Sequence, residues 1–303
     1  MLFRFMLPSL LLIGLSGCAG DSLPQQADPN FKPQNSYARF DKSQAPVVLV
    51  DEAHYNFHTI NTRYKPFAKV LQSDGYNVKA NKKSFSRASL AKADVLVIAN
   101  ALHKSNSRNW DGPFLSAFTS NEVQAVKEWV NQGGALLLIA DHIPFPKAAE
   151  QLASAFGFEF ANGHVQEVTF STQNNTLNHH TILDSTSRTG QITQVKSLGG
   201  DAFKAPEAAI NIMQLPKGAK AVIPQRPFAV DEQTSRIAIE GWSQGAVLEV
   251  GKGRIAVFAE ASMFTSQVYT PTGQTSGLVS PGAEQNERFL LNVMYWLANK
   301  GPS

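Results

Sequence analysis

Ala135-Leu136-Leu137-Leu138-Ile139-Ala140 is apolar without interruption and then breaks on Asp141-His142. Val47-Val48-Leu49-Val50 does the same, breaking on Asp51-Glu52-Ala53-His54. A continuous run, unlike an alternating one, is the pattern of a strand covered on both faces, which is the usual condition of a parallel sheet. In open sheets of that kind ligands sit just beyond the carboxyl ends of the strands. Acids and imidazoles placed at both breaks should therefore face one crevice.

Outward from these runs, strand and helix patterns alternate. After Val47–Val50 come Tyr64, Phe67, Val70 and Leu71 at helical spacing, stopped at Gly75. Tyr76–Ala80 and Asp94–Ala99 read as strands. Thr119 and Glu122 form a capping box ahead of Val123, Val126, Trp129 and Val130, and Gly133-Gly134 supplies the left-handed stop. Lys147–Phe156 reads as a helix. Alternation of this sort predicts a mostly parallel sheet with helices on both faces. Residues 158–217 are mixed in pattern. Beyond them Ala219–Ile223, Arg236–Glu240, Ala246–Val250 and Arg254–Ala259 read as strands, the last two joined by Gly251-Lys252-Gly253 as a hairpin, so the C-terminal half is β-rich. Phe289, Leu290, Val293, Trp296 and Leu297 make the core face of a closing helix.

The first residues have the pattern of a targeting segment. Arg4 precedes an apolar stretch, Phe5–Leu15, too short to span a bilayer. It closes on Leu15-Ser16-Gly17-Cys18, which resembles a bacterial lipobox. That resemblance implies a signal peptide over 1–17 and lipidation of Cys18, which would hold the protein on the bacterial envelope, on the outer membrane and facing the periplasm. Residues 18–45 are polar, with Pro24, Pro29 and Pro33, and read as a flexible tether ahead of a domain over 46–303. The chain has one cysteine, so a lipidated Cys18 leaves no disulfide and no thiol nucleophile. Lys and Arg number 27 against 24 Asp and Glu, without a basic cluster, which argues against nucleic acid. No phosphate-binding glycine loop occurs, which argues against a nucleotide cofactor.

Asp51-Glu52-Ala53-His54, the segment from Glu122 through Trp129 to Asp141-His142, and Gly251-Lys252-Gly253-Arg254 with Glu260-Ala261-Ser262-Met263-Phe264 together resemble the class I glutamine-amidotransferase-like superfamily. Within it the chain is most similar to a bacterial lipoprotein branch near the trehalose-utilisation-like and gliding-motility-like proteins. The resemblance covers about residues 46–299 and implies a flavodoxin-like sheet. The amidotransferases carry a cysteine nucleophile on a strand-to-helix turn. Here that turn is Ala140-Asp141-His142, so thiol amidotransfer is excluded.

Two chemistries remain open at the crevice. Asp51, His54, Asp141 and His142, with Glu260 as a fifth member, form a mixed oxygen and nitrogen set suited to a divalent transition metal. Glu52 or Glu260 would then act as general base of a hydrolase. Alternatively the same residues, with His103 and Trp110 on the following loop, bind an envelope glycan or a partner protein without catalysis. His58 and His164 read as surface residues. Gly241-Trp242-Ser243-Gln244-Gly245 matches a nucleophile elbow as a string but leads into a strand, which is the wrong context for a serine hydrolase.

Overall fold

The computed structural model describes residues 24–184 and 190–299. The expected signal peptide and Cys18 lie outside the described residues.

Five parallel strands set the frame: β2 (Val47–Asp51), β3 (Asn77–Asn81), β4 (Val95–Ala99), β5 (Ala135–Ile139) and, much later, β14 (Gly253–Phe258), in spatial order β3-β2-β4-β5-β14. That is the flavodoxin-like 2-1-3-4-5 order, whose switch point falls between the first and third strands, here β2 and β4. Every residue of β4 and β5 is buried. Their side chains divide strictly by face: Val95, Val97, Leu137 and Ile139 go to one core, Leu96, Ile98, Leu136 and Leu138 to the other. Each such burial is worth about 1.5–3 kcal/mol, and it is why both strands read as unbroken apolar runs.

The first core is closed by α1 (Lys65–Ser73) and α5 (Asn286–Ala298), the second by α2 (Arg87–Leu90), α3 (Ser120–Asn131) and α4 (Phe145–Ser154). The Thr119–Glu122 capping box is present. Gly134 is forced by packing, since a Cβ there would lie 2.3 Å from the Trp129 indole.

The segment 158–217, patternless in sequence, holds short antiparallel pieces: β6 (Glu159–Phe160), β7 (Val168–Ser171), β8 (Gln194–Ser197), β9 (Phe203–Lys204) and β10 (Ile210–Gln214). After it come β11 (Lys220–Ile223) and β12 (Ser235–Ala238), a separate two-stranded sheet, and β13 (Ser243–Val250), which pairs antiparallel with β14 as the glycine-rich loop predicted. Ser243 is buried as the first residue of β13, so the elbow-like string runs from a turn into a strand.

Residues 24–45 correct the tether. β1 (Gln25–Ala27) adds to β15 (Ser266–Tyr269), which also pairs with β16 (Gln274–Gly277). Phe31 enters the core, and Glu287 on α5 accepts the backbone N–H groups of Gln34 and Asn35 at 3.0 and 2.8 Å. Asp74 O accepts from Arg39 and Phe40. Gly75, at φ +92°, meets this strap so closely that a Cβ would lie 2.1 Å from Phe40 O. The segment is a strap bound along the domain because its few apolar and acidic anchors find partners far away in sequence.

Candidate functional site

At the end of β2, Asp51 is fully buried and its Oδ2 lies 2.8 Å from His54 Nδ1. The other ring nitrogen, Nε2, lies 2.9 Å from Glu122 Oε1 at the start of α3. His54 therefore bridges two carboxylates, between the rings of Phe85 at 4.6 Å and Phe118 at 4.8 Å. Burial works against its charge, but hydrogen bonding and attraction to Asp51 and then Glu122 outweigh burial, and its pKa is raised. Glu122 is held down at about 2: burial opposes, while the Thr119 N–H, His54 and the Thr119 hydroxyl all favour the carboxylate.

The ends of β5 and β14 are built differently. Asp141 accepts from the N–H groups of His142 at 2.7 Å and Ala261 at 3.2 Å, and its own N–H donates to Asn100 Oδ1 at 2.9 Å. Glu260 accepts from the N–H groups of Ser262 at 2.6 Å and Met263 at 2.7 Å. Burial and then the Asp141 carboxylate raise Glu260 to about 8 against those donors. Asp201, which accepts from Asn162 and Gly163, is raised to about 7 by burial, again against its backbone donors.

The four-residue metal set does not assemble. β4 separates β2 from β5, and Val50 is level with Leu137, four residues short of Asp141, so the backbones of Asp51 and Asp141 stand further apart than the two strand spacings of about 9–10 Å. A shared metal needs ligands about 2 Å from one point. His54 has both nitrogens engaged, and the His142 ring turns away to stack on His164 at 4.7 Å. Among the described residues no three His, Cys, Asp or Glu side chains are arranged to hold a metal ion. Glu52 Oε1 accepts from Ile60 N at 3.0 Å. The four side chains therefore do not share one metal point among the described residues.

What remains open is a pocket of about 400 Å³ at the β2/β4 switch point. Its lining includes Tyr55, His103, Lys104, Leu115, Phe118 and Thr119, with His54 at its base. Tyr55 is half exposed and held at φ +47°, a conformation non-glycine residues seldom adopt. His103 Nδ1 accepts from Ser105 N at 3.1 Å and the ring faces the pocket. Trp110, expected as an open stacking platform, instead packs edge-on against Phe57 at 5.5 Å and Phe145 at 5.2 Å. Its loop is long enough to fold back, and an indole left in water would forfeit its burial. His58 and His164 are also corrected: His58 is 3 % exposed beside Tyr64, and His164 is half buried against His142. Sequence reasoning missed Glu122 as a partner of His54, because one of its two oxygens serves the helix cap and hid the role of the other. It also missed Asn100, Asp201 and Tyr55.

No protein-family model and no curated protein matches the chain. Solved structures do. The mmIFT52 N-terminal domain aligns at a TM-score of 0.58 with 16 % identity, covering 83 % of this chain and 97 % of that one. A ThuA-like protein from Bacteroides uniformis aligns at 0.44 with 10 % identity, over 89 % of this chain and 95 % of the other. A GMP synthase protein from Thermoplasma acidophilum aligns at 0.45 with 9 % identity, over 84 % and 95 %. At these identities the likeness is one of fold.

Proposed function

We propose that this chain is a non-catalytic, amidotransferase-like binding module that takes a glycan in the switch-point pocket. The lipobox-like Leu15-Ser16-Gly17-Cys18 supports placing it on the bacterial envelope through a lipidated Cys18. The observation that carries the reading is the division of labour around His54. The acids beside the pocket, Asp51 and Glu122, are both spent on that imidazole, while the pocket is lined by groups that bind rather than react. Tyr55 offers a ring face, Leu115 and Phe118 an apolar floor, and His103 and Lys104 directional polar groups. That mixture of apolar surface with a few placed hydrogen-bonding groups is how small-ligand sites are made, and aromatic faces suit the C–H side of a sugar ring.

A glycan microarray probed with the protein tests this. Tyr55→Ala and His103→Ala should each weaken binding to the retained glycans about tenfold, equivalent to about 1.4 kcal/mol. Retention unchanged in both variants, or no retention of any glycan by the parent protein, would end the reading.

A further inference from the structure

A second polar patch lies beyond β5, away from the switch-point pocket. His142 Nδ1 donates to Ile143 O at 2.7 Å, which leaves Nε2 as the lone-pair nitrogen. The stacked His164 has its own Nε2 buried without a hydrogen-bond partner, and Asn162 Oδ1, two residues before, is buried and unpartnered as well. Burying such atoms unmet costs free energy that water or a ligand would return. Against the two imidazole rings lies Phe228 of the loop 224–234, between β11 and β12.

That loop has the marks of a cover held in place from outside. Phe228 sits 5.1 Å from the His142 ring and 5.6 Å from that of His164, yet it is 55 % exposed and held at φ +63°. Such a backbone conformation in a bulky residue is strained and persists only where its surroundings impose it. Two residues earlier, Arg226 ties the loop across to a neighbour: its Nε and Nη2 donate to Asp111 Oδ1 and Oδ2 at 2.6 and 2.8 Å. Asp111 belongs to the opposite loop, next to Trp110, whose ring lies 6.3 Å from both Phe228 and His142. The stem is anchored, since His164 and Val222 exchange both backbone hydrogen bonds at 2.8 and 2.9 Å. A fixed stem whose tip is held by one bidentate ion pair and the ring contacts of Phe228 is hinge geometry.

We propose that residues 224–234 are a lid, latched by Asp111 and Arg226, over a subsite in which His142, His164 and Asn162 recognise the hydroxyl groups of a neutral saccharide. Imidazole nitrogens and an amide oxygen can accept from hydroxyls, and Phe228, 55 % exposed beside them, supplies a ring face. The subsite rests on its own contacts and does not require the switch-point pocket to be occupied.

Diethyl pyrocarbonate labelling read by mass spectrometry tests it on the full chain, because the reagent reports the accessibility of each histidine separately. In Asp111→Asn and Arg226→Gln, both exposed positions, labelling of His142 and His164 should rise about two- to fivefold, the factor by which losing an exposed ion pair shifts a two-state equilibrium. His54, with both nitrogens bonded, should stay slow. A panel of neutral gluco-, manno-, galacto- and N-acetylglucosamine oligosaccharides should include members that slow the labelling in the variants. Equal rates in parent and variants would overturn the lid, as would a parallel rise at His54. Faster labelling that no oligosaccharide slows would overturn the saccharide assignment.

Discussion

The ends of β2 and β5 carry the same residue types, an aspartate followed closely by a histidine, and the protein uses them in opposite ways. Beyond β2, Asp51 and His54 meet as unlike charges, with Glu122 completing the bridge. Beyond β5, Asp141 is answered by backbone N–H groups and faces two further acids, Glu260 and Asp201, while His142 leaves for an aromatic stack. Spacing accounts for the difference. His54 lies three residues past Asp51, enough chain to turn its ring back, whereas His142 is adjacent to Asp141 and must point elsewhere. One end is therefore a paired ionic clamp under an open pocket, the other a cluster of acids in which Glu260 and Asp201 hold their protons more tightly.

Breaking the clamp should have the largest consequence. His54→Ala leaves two buried carboxylates without their counter-charge, and removing one partner of a buried pair typically costs about 3–5 kcal/mol. Chemical denaturation at neutral pH measures this, and a loss below about 1 kcal/mol would mean that the bridge holds little together. The clamp also sets a sign with pH. A raised imidazole pKa gives stability that is full below the ordinary 6.5 and is lost as pH rises through the folded value. The lowered Glu122 gives stability that is full above the ordinary 4.5 and is lost as pH falls towards about 2.

The like-charge end sharpens the comparison with a smaller effect. Glu260, raised to about 8, contributes stability that is full below 4.5 and drains away as pH climbs to about 8. Glu260→Gln keeps the shape and removes the ionisation. With one acceptor oxygen left for the Ser262 and Met263 N–H groups, the variant should be the less stable of the two at mildly acidic pH and lose less stability than the parent between pH 4.5 and 8. Parallel stability curves across that range would show that Asp141 and Glu260 do not repel as described.

Much of this architecture was legible because its determinants are local. Unbroken apolar runs marked β2, β4 and β5, and Thr119 with Glu122 marked the start of α3. The strap was not legible. Gln34 and Asn35 look like linker until Glu287, some 250 residues on, accepts their N–H groups. The short strands from β6 to β10 pair over long distances and bury too few residues each to leave a periodic trace. At the site, the pairing of Asp51 with His54 follows from their spacing at a strand end. Glu122 reaches them only through the packing of α3 on the sheet, and the stacking of His142 on His164 depends on β11, which no local pattern places there.

Nitrogen-15 NMR of the His54 side chain tests most directly the claim that the strand-end acids are spent on structure. His54 should be mainly an imidazolium at pH 6.5, both ring nitrogens protonated, with a titration midpoint above that value. A neutral ring with one free lone pair at that pH would contradict it and make His54 available again as a base or a ligand.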